Sequence, residues 1–142
     1  MRLIYKAGDR KSYIHRVTES DLPAFAGDPR SAGKKALHPV YSSYALARDA
    51  EWTCRLFVLD MLEEDEEGIG TAIALEHLSP ALPGSEVRFE AEIESIEGNR
   101  IRCRFTARVD ERLIARGTQE QAIVKKERLA RLFQSLKKER KP

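Results

Sequence analysis

The sequence predicts an α+β fold in which an antiparallel sheet wraps around one long helix. Three observations carry the prediction. Apolar residues recur at three- and four-residue steps between 43 and 63. From residue 70 the period switches to two. The outward positions of the later strands are Glu-rich on one strand and Arg-rich on the next, as an antiparallel ladder requires. A chain of 142 residues is enough for one domain, 1–142, and leaves little room for a second core.

In chain order, residues 11–18 read as a short strand. Residues 26–40, rich in Gly, Pro and Lys, read as a loop or lid without regular structure. The helix of 43–63 lines up Leu46, Ala50, Cys54, Phe57, Val58 and Met61, with Ser42 and Ser43 where an N-cap is wanted. The acidic run Glu63–Glu67 is expected to be a solvated turn, because acid at a helix C-terminus opposes the helix dipole. The strand of 70–78 places Thr71, Ile73, Leu75 and His77 on one face. Val87, Phe89, Ala91 and Ile93 line the next strand, Ile101, Cys103, Phe105, Ala107 and Val109 the one after, and Glu97-Gly98-Asn99 turns between them. A last strand covers roughly 113–124. A basic amphipathic helix follows over 125–142, with Leu129, Leu132, Phe133 and Leu136 on one side and the first three expected to dock it. This arrangement is the hotdog architecture; a cystatin-like α+β sheet reads similarly at this level.

The net charge of +2 hides an asymmetry. Residues 125–142 hold eight basic and two acidic residues, so the tail carries +6 and the rest of the chain −4. The near balance argues against a whole-domain nucleic-acid binder and against a disordered polyelectrolyte. No segment has the apolar length of a signal peptide or a membrane span, so the expectation is a cytoplasmic protein with no membrane partner. Cys54 and Cys103 both fall in apolar-patterned segments and are expected to be buried free thiols. No metal-ligand spacing appears, and no cofactor is called for.

Few polar residues point into the expected helix–sheet interface. His77 is one, by strand alternation. Glu51 is another, at the edge of the helix's apolar stripe beside Trp52. A carboxylate and an imidazole meeting there could perform acid–base chemistry. Ser42 and Ser43 add hydroxyls and free backbone N–H groups where an oxyanion could develop. Lys34, Lys35 and Arg30 in the lid, or the basic tail, could contact the phosphates of a ligand; nucleic acid is the less favoured partner for that tail.

The segments Val40-Tyr-Ser-Ser-Tyr-Ala-Leu-Ala-Arg-Asp-Ala-Glu51-Trp52-Thr-Cys54 and Gly70-Thr-Ala-Ile-Ala-Leu-Glu-His77 resemble the fluoroacetyl-CoA thioesterase family of hotdog proteins. Gly117-Thr-Gln-Glu-Gln-Ala122 in the last strand matches in kind, and the likeness spans about 13–135. The resemblance implies hydrolysis of an acyl-CoA thioester at a site completed by a homodimer. It implies a catalytic trio: Ser43 where the family has a Thr hydroxyl, Glu51 as carboxylate and His77 as histidine. Glu51 would act as general base or as nucleophile. Gly70 would let the acyl group approach the strand.

This sequence also departs from the family pattern. Ser stands for Thr at 43. Lys34-Lys35-Ala36-Leu37-His38 carries no aromatic where the family has a gate near Leu37, and Gln119 and Gln121 replace His and Arg. The expected substrate is therefore an ordinary short or medium acyl-CoA. A non-catalytic acyl-CoA-binding or sensing module is the alternative.

Overall fold

The computed structural model describes residues 1–31 and 36–140. Its centre is helix α1, Ser43–Met61. The side chain of Ser42 caps it by accepting the Ala45 N–H at 3.2 Å, which satisfies one of the donors that a helix start leaves over. The six apolar positions read from the periodicity are all buried, and Asp49 and Thr53 are buried with them.

The sheet has five antiparallel strands: β1 Arg10–Arg16, β2 Glu66–His77, β3 Glu86–Glu97, β4 Arg100–Val109 and β5 Arg112–Lys125. Their spatial order is β1-β3-β4-β5-β2, so β2 forms one edge although it precedes β3 in sequence. A final helix, α2, spans Lys126–Glu139. Val87, Phe89, Ala91 and Ile93 of β3 and Ile101, Cys103, Phe105 and Ala107 of β4 are buried in one cluster with the apolar stripe of α1. Each large side chain so buried contributes about 1.5–3 kcal/mol. On the outer face Arg104 pairs with Glu92 at 3.2 Å and Arg102 with Glu94 at 2.9 Å. These exposed pairs fix register more than they stabilise.

Four expectations need correction. The acidic run is not all turn, because Glu66 and Glu67 open β2. Burial of Glu66 is tolerated because its carboxylate accepts hydrogen bonds from the Glu63 N–H and the Met1 amino group, while Glu67 pairs with Arg55 at 3.0 Å. Strict alternation along β2 also fails. The register shifts between Gly70 and Ala72, which puts Gly70 opposite Gln121 and Ile73 opposite Gln119 on the helix side. Thr71, at the irregularity, donates its hydroxyl to the Glu120 carboxylate instead of joining the inner row.

The helix boundaries and α2 supply the other two. α1 stops at Met61, where the Leu62 N–H closes the last turn on the Val58 carbonyl. α2 fully buries no residue: of the three expected to dock it Leu129 is half-buried, but Leu132 and Phe133 are about half exposed and do not dock it. Lys34 and Lys35 lie outside the described residues.

Cys54 and Cys103 are buried free thiols that face each other between α1 and β4. Cys54 is pushed well above the ordinary thiol range by its hydrogen bond with Cys103 and by burial.

Candidate active site

The first turn of α1 and the end of β2 meet at one contact. Ser43 is the first helical residue and is exposed; His77 is the last residue of β2, on its helix-facing side. Ser43 Oγ lies 2.9 Å from His77 Nδ1. His77 is half-buried, and burial lowers its pKa below the ordinary histidine value, against a smaller opposing effect of the Ser79 main chain. Its Nε2 is buried and has no hydrogen-bond partner among the described residues. A neutral imidazole with one nitrogen on a hydroxyl and the other uncommitted is equipped to move a proton.

Glu51 sits two turns further along α1, about 12 Å of helix rise from Ser43. It opens on a groove of about 400 Å³ lined by Tyr44, Ala47, Arg48, Trp52, Arg55 and Ile73. Its carboxylate oxygens lie 3.0 and 3.3 Å from where a Cβ on Gly70 would stand. Glycine at position 70 lets Glu51 sit this close to the strand; a Cβ there would push the carboxylate back by a few tenths of an ångström. The register shift at Gly70 creates the contact, since uninterrupted alternation would turn Gly70 away.

The expected residues thus assemble as two pairs, Ser43 with His77 and Glu51 with Gly70. Glu51 and His77 form no hydrogen bond with each other among the described residues; both edge the same helix–strand interface. Ser42 is only 4% exposed and its hydroxyl is committed to the cap, so it shapes the helix start rather than offering a contact. Leu37 is half-buried, and its N–H closes on the Pro23 carbonyl at 2.9 Å. Arg30 is held by Asp28 at 3.1 Å.

Sequence reasoning missed a polar cluster behind the helix start, made of buried Asp21, Tyr41 and Asp49 with half-buried His15 and half-exposed Arg48. One ligand atom each from His15, Asp21 and Asp49 lies within 4.8 Å of the others, a spacing that could hold a cation. The guanidinium of Arg48 already bonds both carboxylates, at 2.7 Å to Asp21 and 2.9 Å to Asp49. Burial alone would raise Asp21, but Arg48, the Thr18 N–H and His15 hold it at about 2. Its members lie on four separate segments between 15 and 49, so no local motif announces it. Gln119 and Gln121 join each other under Glu51: Gln121 Nε2 donates to the Gln119 side chain at 3.0 Å and to the Glu51 carbonyl at 3.3 Å.

Comparison with known proteins gives this geometry its context. The fluoroacetyl-CoA-specific thioesterase family model matches residues 17–127. The fluoroacetyl-CoA thioesterase of Streptantibioticus cattleyicolor is 39% identical over 116 residues, covering 80% of this chain and 74% of that protein. A thioesterase superfamily member from Thermus thermophilus superposes with a TM-score of 0.86 at 36% identity, covering 98% of this chain and 97% of the other. A threonine-to-serine mutant of the fluoroacetyl-CoA thioesterase, in complex with acetyl-CoA, superposes with a TM-score of 0.82 at 28% identity, covering 92% and 98%. The fold is the hotdog fold, and the chain belongs to the fluoroacetyl-CoA-specific thioesterase family.

Proposed function

We propose that this protein is an acyl-CoA thioesterase of one 142-residue domain that hydrolyses short or medium acyl-CoA thioesters to the free acid and CoA. The hydrogen bond between Ser43 and His77, in a chain 39% identical to a thioesterase, carries the reading. Ser43 and the amides of the first turn of α1 polarise the thioester carbonyl. Glu51 either takes a proton from water, which attacks the carbonyl carbon, or attacks it to form an anhydride that water then opens. Collapse breaks the C–S bond. The proton lost by the attacking water, directly or when the anhydride is opened, ends on the departing thiolate; His77, neutral through burial, takes up a proton at one ring nitrogen as it gives one through Ser43 and so returns to the neutral form.

Three features favour an unsubstituted acyl group over fluoroacetyl. Ser43 lacks the methyl that restrains a threonine rotamer. Residues 34–38 contain no aromatic. Gln119 and Gln121 place a neutral amide pair beneath Glu51, where a cationic side chain could otherwise stand.

The working unit is a homodimer in the cytoplasm. β2 is a sheet edge whose residues from Gly70 to Ala74 are exposed, and Ile73, Tyr44 and Trp52 beside it are each at least 40% exposed. A second copy along this edge would pair the free strand and wall the groove at Glu51. No helix among the described residues is long and apolar enough to cross a membrane.

The test is release of free thiol from a panel of acyl-CoAs running from acetyl and fluoroacetyl to medium chains. Turnover highest on an unsubstituted acyl-CoA supports the reading. Binding of acyl-CoA with no thiol release from any of them overturns it in favour of a binding module.

A further inference from the structure

We infer that Arg48 is a positioning residue for acyl-CoA binding: it clamps the stems of the segment between Asp21 and Ser42 to α1 and so sets the mouth of the groove at Glu51. The inference rests on the thioesterase reading for what the groove binds, and on geometry alone for what Arg48 holds.

Arg48 faces two ways. Its side chain is about half exposed and lines the groove with Tyr44 and Glu51. Its guanidinium reaches inward to Asp21 at 2.7 Å and to both oxygens of Asp49 at 3.0 and 2.9 Å. Asp21 and Asp49 are 2% and 5% exposed. Asp49 also accepts from the Tyr41 hydroxyl, and Asp21 meets His15 Nε2 at 2.8 Å. The bridge therefore joins β1, the residue that enters the segment, the residue that leaves it, and the helix carrying Glu51.

The main chain shows what the bridge holds. The Ser42 N–H donates to the Asp21 carbonyl at 2.9 Å, so the segment's two ends close on each other directly over the clamp. The Leu37 N–H donates to the Pro23 carbonyl, which zips the stems one step further out. On the entering stem the Ala24 N–H donates to the Tyr44 hydroxyl at 3.0 Å, and the Phe25 ring packs edge-on against Tyr44, 5.6 Å between centroids. Tyr44 is a wall of the groove. Arg48 thus acts on the ligand through Tyr44 and the stem, which is how a specificity-setting residue can lie outside the reacting group.

The length of the guanidinium matters as well as its charge. Nη2 reaches both Asp21 and Asp49 and Nε adds the second bond to Asp49, whereas a lysine ammonium ends one bond short of Nη2 and has no Nε–H. Arg48→Lys keeps the buried charge balanced, so it tests the geometry without leaving two buried carboxylates unpaired.

The experiment pairs residue-resolved amide exchange with steady-state kinetics on the full-length protein, wild type against Arg48→Lys. The expected result is exchange about tenfold faster at the Ala24, Leu37 and Ser42 amides, with β4 amides unchanged. With it, KM for acetyl-CoA rises severalfold while kcat stays close to wild type. Unchanged exchange at those three amides overturns the inference. So does faster exchange there with KM unchanged, or equally faster exchange in β4, which would make Arg48 a stability residue only. Wild-type protein that releases no thiol counts against the thioesterase reading, and the exchange data then decide by themselves whether Arg48 holds the stems. Tyr44→Phe, which removes the stem's hydroxyl contact and no buried charge, should speed exchange at Ala24 and not at Ser42; the reverse pattern overturns the inference.

Discussion

Ser43 Oγ and His77 Nδ1 are 2.9 Å apart, and this single hydrogen bond ties the first turn of α1 to the last residue of β2. A hydroxyl at 43 is what the contact needs; the methyl of a threonine is optional. Ser43→Ala should lower kcat by about 100-fold, the usual cost of losing one polarising donor, with little change in KM. Ser43→Thr should retain most of the activity. Steady-state kinetics on the two variants checks this, and equal losses in both would contradict it.

Burial lowers the pKa of His77, so the acidic limb of kcat/KM should fall below the ordinary histidine value of about 6.5. The same shift touches stability. The unfolded chain takes up that proton more readily than the folded one, so the histidine's contribution is intact above about pH 6.5 and is lost as pH falls from there through the lower folded-state pKa. Removing His77 with His77→Gln should flatten this part of the stability curve, followed by urea melts across pH. A limb centred above 7 would contradict the burial argument.

Two glycines should fail in different ways. A Cβ at Gly70 would stand 3.0 Å from Glu51 Oε1, so Gly70→Ala should displace the carboxylate and cut activity while the melting temperature barely moves. At Gly117 a Cβ would run into the Ala74 carbonyl and the Phe105 ring, from the strands that flank β5 on either side in the sheet. Gly117→Ala should therefore destabilise the fold by about 1–3 kcal/mol, the range for overpacking. Thermal melts run beside activity assays separate the two effects.

Cys54 and Cys103 face each other, yet both are about 1% exposed, and Cys54 is pushed above the ordinary thiol range by its partner and by burial. Neither should react with an aromatic disulfide reagent in the folded protein at neutral pH, and both should react once it is denatured. Stoichiometric labelling of the native protein would contradict the packing described.

The sequence made α1 legible because its face follows a helical period and its cap is a serine. It made the strand pairs legible because Glu and Arg alternate with apolar residues. Three features were hidden for physical reasons. Glu66 and Glu67 look like turn residues, since nothing local shows the cations and N–H groups that pay for their place in β2. The register shift at Gly70 breaks the period-two rule used to assign faces, and it is this break that brings Gly70 to Glu51. The cluster at Arg48 joins residues from 15 to 49 that share no spacing. At the candidate site, Ser43, Glu51, Gly70 and His77 were expected from the resemblance, but their division into two pairs was not, because it depends on where β2 crosses α1.

The most direct measurement is hydrolysis of acetyl-CoA by the wild type, Glu51→Gln and His77→Ala under identical conditions. Circular dichroism should show all three folded, since Glu51 is exposed and His77 only half-buried. The account predicts wild-type turnover and losses of about 100-fold or more in each variant, the scale of general acid–base catalysis. Full activity surviving in both folded variants would contradict it.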